Sequence, residues 1–510
     1  MAQTLNMDAM ISRADFTADK TTSGSNRITQ IKVSDLKEDN LLRTLLKKPD
    51  FQRETRDWGV DQVISFLTSI IERHFIPAVI LWQNDANDIF VIDGAHRLSA
   101  LMAWINDDYG DGVISQQFYG NRIPEEIIEY AQTARKKIEK SVGRYSLYYD
   151  AAKNPQKYDE TFCKKARGLE LFSFVIQWID GDVSVAEQSF LNINQKAVPI
   201  SPVEMMILQS RNKPLGIATR AIAYSGNGYK YWKHFDEDKQ DEIEKISEEI
   251  NRILFLPKTS TPISTLDVSL AGKNKMDLSL IYDLIGYCND NIPDVVDNTG
   301  DETIKILKTT RRVLQTINSK EPGSLGLHPI VYFYSRKGNF KPALFFAFVL
   351  FVKDLELRRK KKDFTSIRKQ FEEFIYKYDY IFDQINRQLR STKKSAVPLK
   401  DVFVLIFHNM LDNKREKTIV KNILSLYPKI NTIENPDYEE SEGRDFNSNR
   451  KSETYISKAL PGCVRCGICG GIVHVNSTSI DHVTRKSDGG LGVVQNGQVT
   501  HPFCNTGYKN

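Results

Sequence analysis

Hydrophobic positions along the 510-residue chain change their period near residue 210. Before that point, short apolar runs with strand character stand at 27–33 (RITQIKV), 78–82 (AVILW) and 89–93 (IFVID). Between the first two, Val63, Ile64, Leu67, Ile70 and Ile71 share one face of a predicted helix, and LSALMAWI after the third predicts another. From Pro202 onward helical spacing dominates, over 202–222, 242–255, Ile304–Ile317 and Pro342–Val352. The last of these (PALFFAFVLFV) is almost wholly apolar but shorter than the ~18 residues of a membrane span, so it predicts a buried central helix. Met1–Asn26 is polar and predicts a disordered tail, and the Gly- and Pro-punctuated stretch 431–453 predicts a linker. The expected organisation is a tail (1–26), an α/β domain (27–210), a mainly α-helical middle (211–430), a linker (431–455) and a small C-terminal domain (456–510). No internal repeat is visible.

The C-terminal segment carries the densest chemistry. Pro461–Asn510 holds four of the six cysteines and three of the eight histidines. Cys466-x-x-Cys469 and His501-x-x-Cys504 have the spacing at which a tight turn presents two ligands to Zn²⁺, which takes four in a tetrahedron. Cys463-x-x-Cys466 is a competing register. Between the two pairs stand Asp481-His482, Gly489-Gly490 and Asn496, and Asn505 follows the last cysteine.

That order resembles the HNH endonuclease motif, a ββα-metal finger with the pattern CxxC, DH, N, CxxCN. The usual distance before Asp481-His482 favours Cys466 and Cys469 over the Cys463 register. The resemblance implies a structural zinc on Cys466, Cys469, His501 and Cys504, stapling a finger too small to bury a core. It implies His482 as the general base that activates water, Asp481 and Asn505 as holders of a catalytic Mg²⁺ or Mn²⁺, and Asn496 as the residue that orients the His482 loop. The chain departs from the common pattern in having His501 for the third cysteine, Thr484-Arg485 where Ile-Pro is frequent, and Asn505 as the final N. A zinc ribbon that binds without cutting would explain the cysteines but not the other four residues together.

In the N-terminal third, the strand at 89–93 delivers Asp93-Gly94-Ala95-His96-Arg97 into a helix. A strand, a glycine turn and a helix N-terminus make an anion site from free backbone N–H groups and the helix dipole, to which Arg97 adds a fork of donors. Together with Phe51-Gln52-Arg53, Trp58 and the box Asn194–Glu204 (NQKAVPISPVE), this resembles the DGQQR or DGQHR domains of the ParB/sulfiredoxin-like superfamily. The resemblance implies a nucleoside triphosphate at the loop, Arg53 near its phosphates, and Asn194 or Glu204 near a phosphate-bound Mg²⁺. The site hydrolyses a nucleotide, only binds one, or binds DNA phosphate instead; Asp93 and His96 are the candidate acid/base pair if it hydrolyses. Ala95 breaks the pattern, and without a cysteine there sulfiredoxin chemistry is excluded.

The two parts together resemble modification-dependent (type IV) restriction endonucleases of the GmrSD and SspE kind, with a ParB-like domain, a helical middle and an HNH finger. Double-stranded DNA, modified or not, and a nucleotide are the implied partners. One finger cuts one strand per encounter, so a double-strand break needs two copies, as in a homodimer, or two visits. Two other readings remain: a non-cleaving DNA-binding regulator of a DNA-modification system, and a nuclease switched on by a signal nucleotide.

Composition adds little. The net charge of +5 with 41% hydrophobic and 26% charged residues describes an ordinary soluble chain, so any DNA surface must be local. Arg358–Lys362 (RRKKK) is the densest positive patch. The absence of a signal peptide, of a long apolar run and of paired cysteines predicts a cytoplasmic protein with no membrane partner. The polar linker predicts a tethered finger held away from DNA until a signal arrives.

Overall fold

The computed structural model describes residues 5–14, 16, 27–49, 58–84, 87–119, 123, 125–197, 206, 209–227, 230–272, 278–429 and 445–508, without the side chains of 125–126, 191 and 194–197. The chain forms two compact units, Met1–Leu208 and Gln209–Asn510.

The first unit is built on a mixed sheet of β1 (Ser12–Ala14), β2 (Gln30–Lys32), β3 (Leu46–Pro49), β4 (Val79–Gln83), β5 (Ile89–Asp93) and β6 (Ser173–Trp178), in the order β1-β3-β5-β4-β6-β2. β5 lies parallel to β3 and antiparallel to β4, and β4 lies parallel to β6. The period of two explains how β5 is buried on both sides. Ile89 and Val91 enter the larger core under the helices Val60–Ile71 and Ala95–Ile105, while Phe90 and Ile92 meet Phe16, Trp82 and Phe190 on the opposite face. Helix Val183–Ala197 supplies Phe190 to that second core.

Part of the expected disordered tail is ordered. Leu5, Met7, Met10 and Ile11 are buried, and β1 pairs with β3. The polar look of this stretch misleads because its one buried acid is paired: Asp8 Oδ1 receives Lys48 Nζ at 2.5 Å and Arg13 Nη2 at 2.9 Å.

The second unit is helical around a phenylalanine core. Helix Pro342–Leu357 is buried as its composition predicts, with Phe348 stacked on Phe403 of helix Thr392–Leu411 at 4.1 Å. Of the helix expected over 202–222, residues 201–205 and 207–208 lie outside the described residues. Met206 and Gln209 are helical, residues 210–213 turn the chain, and a separate helix, Pro214–Ala223, begins with a proline whose ring suits the first helical position.

Within the second unit the C-terminal finger packs into the helical core. Of the expected linker, 430–444 lies outside the described residues, and Ser448–Ala459 forms a helix that buries Ile456. Ile456, Leu460 and Ile472 belong to the same apolar cluster as Phe348 and Phe403. A finger hanging free of the helical middle is therefore not what the structure shows.

Candidate active site and metal centre

Three elements build the finger. A knuckle at 465–472 is closed by Cys466 N–H to Gly471 O (2.8 Å) and Gly470 N–H to Cys466 O (2.9 Å). It is followed by an antiparallel hairpin of β7 (Ser479–His482) and β8 (Gly497–Thr500), after which a short helical turn, Cys504–Tyr508, carries the last cysteine.

These elements gather Cys466, Cys469, His501 and Cys504 so that one ligand atom from each lies within 4.8 Å of the others. The Nδ1 of His501 stands 3.4 Å from Cys469 Sγ and 3.8 Å from Cys504 Sγ. A tetrahedral zinc with bonds of ~2.0–2.3 Å has edges of about 3.3–3.8 Å, so the set fits that ion. The other ring nitrogen, Nε2, donates to Ile472 O at 3.0 Å, which fixes the tautomer and leaves Nδ1 for a metal. Cys463 is half-buried against the apolar core and stands outside the cluster.

Beside the cluster lies a buried charge pair that the sequence did not point to. Arg368 and Glu372, one turn apart on helix Lys361–Lys377, meet at 2.9 Å with side chains 1% and 3% exposed. Arg368 Nη1 reaches Leu325 O and stands 3.3 Å from His501 Nδ1, and Nη2 donates to Gly326 O at 2.8 Å. Glu372 accepts from Ile472 N–H at 2.9 Å and from Tyr332 OH at 3.0 Å. Burial opposes the charge of Arg368, but Tyr332, Glu372 and the thiols of Cys469 and Cys504 hold its pKa above the usual guanidinium value. The packing is close: a Cβ on Gly471 would stand 2.6 Å from Arg368 Nε, so only glycine fits the knuckle there.

The hairpin sets out the polar residues. In register, Asp481 faces Gln498 and His482 faces Gly497. Adjacent strand residues point to opposite faces, so Asp481 is buried and accepts from Gln498 Nε2 at 2.9 Å, while His482 is half-exposed. Gly497 opposite and Gly492 beyond the loop leave His482 room; a Cβ on Gly492 would find only His482 Nε2, at 4.0 Å. Asn496 closes the intervening loop. Its Oδ1 accepts from Thr484 N–H at 2.7 Å, and its Nδ2 donates to Thr484 O and Leu491 O at 3.1 and 2.8 Å. Asn505 Nδ2 donates to Ser479 Oγ at 2.9 Å and to Ile480 O at 3.3 Å, which leaves Oδ1 as its acceptor atom beside the strand that carries Asp481. Sequence reasoning missed Gln498 and Ser479. Their signal is strand register: Gln498 stands opposite Asp481, and Ser479 is two residues before it on the same face.

In the first unit, Asp93 ends β5 and Gly94 takes φ +97°, a left-handed value for which glycine is suited, before helix Ala95–Ile105 begins. Arg97 Nη2 donates to Asp93 Oδ2 at 2.6 Å and Nη1 to Pro77 O, so part of its fork ties the turn together. Burial lowers the Arg97 pKa, against the pull of Asp93. His96 stacks on Trp58 with ring centroids 5.9 Å apart. Arg53 and Glu204 lie outside the described residues, as does the side chain of Asn194, which falls in helix Val183–Ala197. Among the described residues no helix is long and apolar enough to cross a membrane.

Residues 33–210 match the family model described as GmrSD restriction endonuclease, N-terminal domain. The match spans about a third of the chain and covers Asp93–Arg97, Asn194 and Glu204. No curated protein and no solved structure matches the chain. The first unit is thus similar to the N-terminal domain of a GmrSD restriction endonuclease, and the second carries a Cys₃His cluster able to hold a metal such as zinc.

Proposed function

We propose that this chain is a DNA endonuclease of the HNH type, controlled by a nucleotide-binding N-terminal domain and acting in restriction of modified DNA in the cytoplasm. The observation that carries it is the hairpin, whose first strand bears Asp481 and His482 and is bonded by Asn505, with Asn496 closing its loop and a Cys₃His cluster in the same finger.

In this reading the zinc set is structural, since four protein ligands leave no open position. Asp481 and Asn505 Oδ1 would hold a Mg²⁺ or Mn²⁺ ion, which supplies positive charge to the phosphate and the leaving 3′-oxygen. Gln498 keeps one Asp481 oxygen engaged and so fixes the direction of the carboxylate. His482 would take the proton of the attacking water. Asn496 pins the loop after His482 at three points, which reduces the freedom of the base. The turn Asp93–Arg97 would offer backbone N–H groups to a triphosphate, and it lies within the residues similar to the restriction-type N-terminal domain.

Plasmid cleavage tests this reading. Modified and unmodified DNA are crossed with ATP, GTP, CTP and no nucleotide, all with Mg²⁺. Cutting confined to modified DNA and dependent on one nucleotide is expected. Cutting of ordinary DNA triggered by a nucleotide would replace modification sensing with a signal-nucleotide switch. DNA binding without cutting under any condition would make the chain a regulator.

A further inference from the structure

We infer that the five-cation corner Arg358–Lys362 is a contact surface for the DNA backbone next to the phosphate that is cut. This inference rests on the nuclease reading for its purpose, and on the structure of the second unit for its geometry.

Local stability accounts for these residues only in part. The corner joins helix Pro342–Leu357 to helix Lys361–Lys377, and Arg358 and Arg359 suit the carbonyl end of the first. Arg359, however, sits at φ +56°, a left-handed value where the C-terminal turn favours glycine. Lys360 caps the second helix with no side-chain hydrogen bond, and Lys361 and Lys362 begin it. Cations at that end oppose the helix dipole. Lys361 is half-buried and paired with Glu356 at 2.8 Å, whereas Arg358 with Asp354 at 2.8 Å and Lys360 with Asp363 at 2.7 Å are surface pairs of low worth that a phosphate can replace.

Placement supplies the purpose. Lys361 Nζ lies 5.8 Å from the centre of the Phe503 ring. Phe503 N–H donates to Ser324 O at 3.0 Å and Thr506 Oγ1 to Pro322 O at 2.9 Å. The chain between these anchors is Cys504-Asn505, one metal ligand and one proposed cation holder. The exposed Lys320 stands in the same loop as Pro322 and Ser324. Exposed cations thus flank the segment that carries Asn505, within one compact unit. A duplex carries one charge per ~1.7 Å of axis, so phosphates next to the scissile one fall within reach of such a corner.

The test uses full-length protein carrying His482→Ala, so that DNA is bound but not consumed. Affinity for a short duplex is measured against salt for this protein and for the same protein with Arg358→Gln, Arg359→Gln, Lys360→Gln and Lys362→Gln. Each lost phosphate contact lowers the slope of log affinity against log salt by ~0.9, so a fall of about 2–3 and a tenfold to hundredfold loss at fixed salt are expected, with zinc content and melting unchanged. A control removes equal charge elsewhere in the unit, with Lys414, Arg415, Lys417 and Lys421 each changed to Gln. An unchanged slope in the corner variant, an equal fall in the control, or no binding by the parent protein would overturn the inference. Salt-dependent binding lost only with the corner, in a protein whose His482-intact form cuts nothing, would sink the nuclease reading and leave the DNA surface standing.

Discussion

Glu372 Oε2 accepts a hydrogen bond from the backbone N–H of Ile472 at 2.9 Å, across one hundred residues of sequence. Through its other oxygen the same carboxylate holds Arg368, which stands 3.3 Å from the metal-facing nitrogen of His501. The knuckle, the metal cluster and the helical unit are therefore one structure. Glu372→Ala leaves Arg368 buried without its carboxylate and Ile472 N–H without an acceptor. A loss of about 3–5 kcal/mol in denaturant unfolding of the second unit is expected, together with weaker zinc retention. Glu372→Gln keeps an acceptor for Ile472 and should cost less. Equal stability of Glu372→Ala and wild type would show that the pair does not hold the finger.

Removing the metal should be felt beyond the finger. Ile472 and Leu460 lie in the main core, and Phe503 packs against it, so Cys504→Ser or a strong chelator should lower the melting temperature of the helical unit as zinc is lost. The check is zinc content read beside a melting curve. Loss of zinc with an unchanged melt would mean that the cluster stabilises nothing outside itself.

Acid should loosen the same contact. His328 of the helical unit and His474 of the finger are buried edge to face, 5.1 Å apart. Desolvation lowers both pKa values, that of His474 to about 4, with Asp267 working in the opposite sense on His474. A folded pKa below the unfolded one means that the unfolded chain binds more protons between pH 6.5 and 4. For His474, stability is thus complete above pH 6.5 and falls as pH drops through that window, by about 2 kcal/mol at pH 5, and His328 acts in the same direction. Denaturant titrations at pH 7.5 and 5 check this, and His474→Gln should flatten the difference. An equal drop in that variant would assign the acid sensitivity to other groups.

Asn496→Ala removes three hydrogen bonds from the loop after His482. It touches neither the zinc ligands nor the Asp481–Gln498 contact. Cleavage should fall at least tenfold while zinc content and DNA affinity hold, because the base loses its fixed position rather than its chemistry. Cleavage at the wild-type rate would remove Asn496 from the site.

Much of the site was legible because its geometry is local. Cys466 and Cys469 share one knuckle, His501 and Cys504 one turn, and Asp481-His482 face the strand that begins after Asn496. Sequence spacing stands in for distance in such a hairpin. Arg368, Glu372 and Tyr332 were invisible for the converse reason. They approach the finger across 100 to 140 residues, and an Arg and a Glu one turn apart read as an ordinary solvated pair. The tail at 5–14 was misread because Asp8 and Arg13 suggest solvent, whereas Lys48 on a neighbouring strand buries Asp8. The strand-turn-helix at Asp93–Arg97 was read correctly as a shape, but not the inward tie from Arg97 to Asp93 and Pro77.

The central claim is that His482 acts as the base of a metal-dependent nuclease, and one measurement addresses it directly. Nicking of supercoiled plasmid is followed with Mg²⁺ for wild type and His482→Ala at matched zinc content and matched DNA binding. The account predicts nicking by wild type and a loss of at least a hundredfold in the variant, the scale of a lost general base. A variant that nicks as fast as wild type would contradict it.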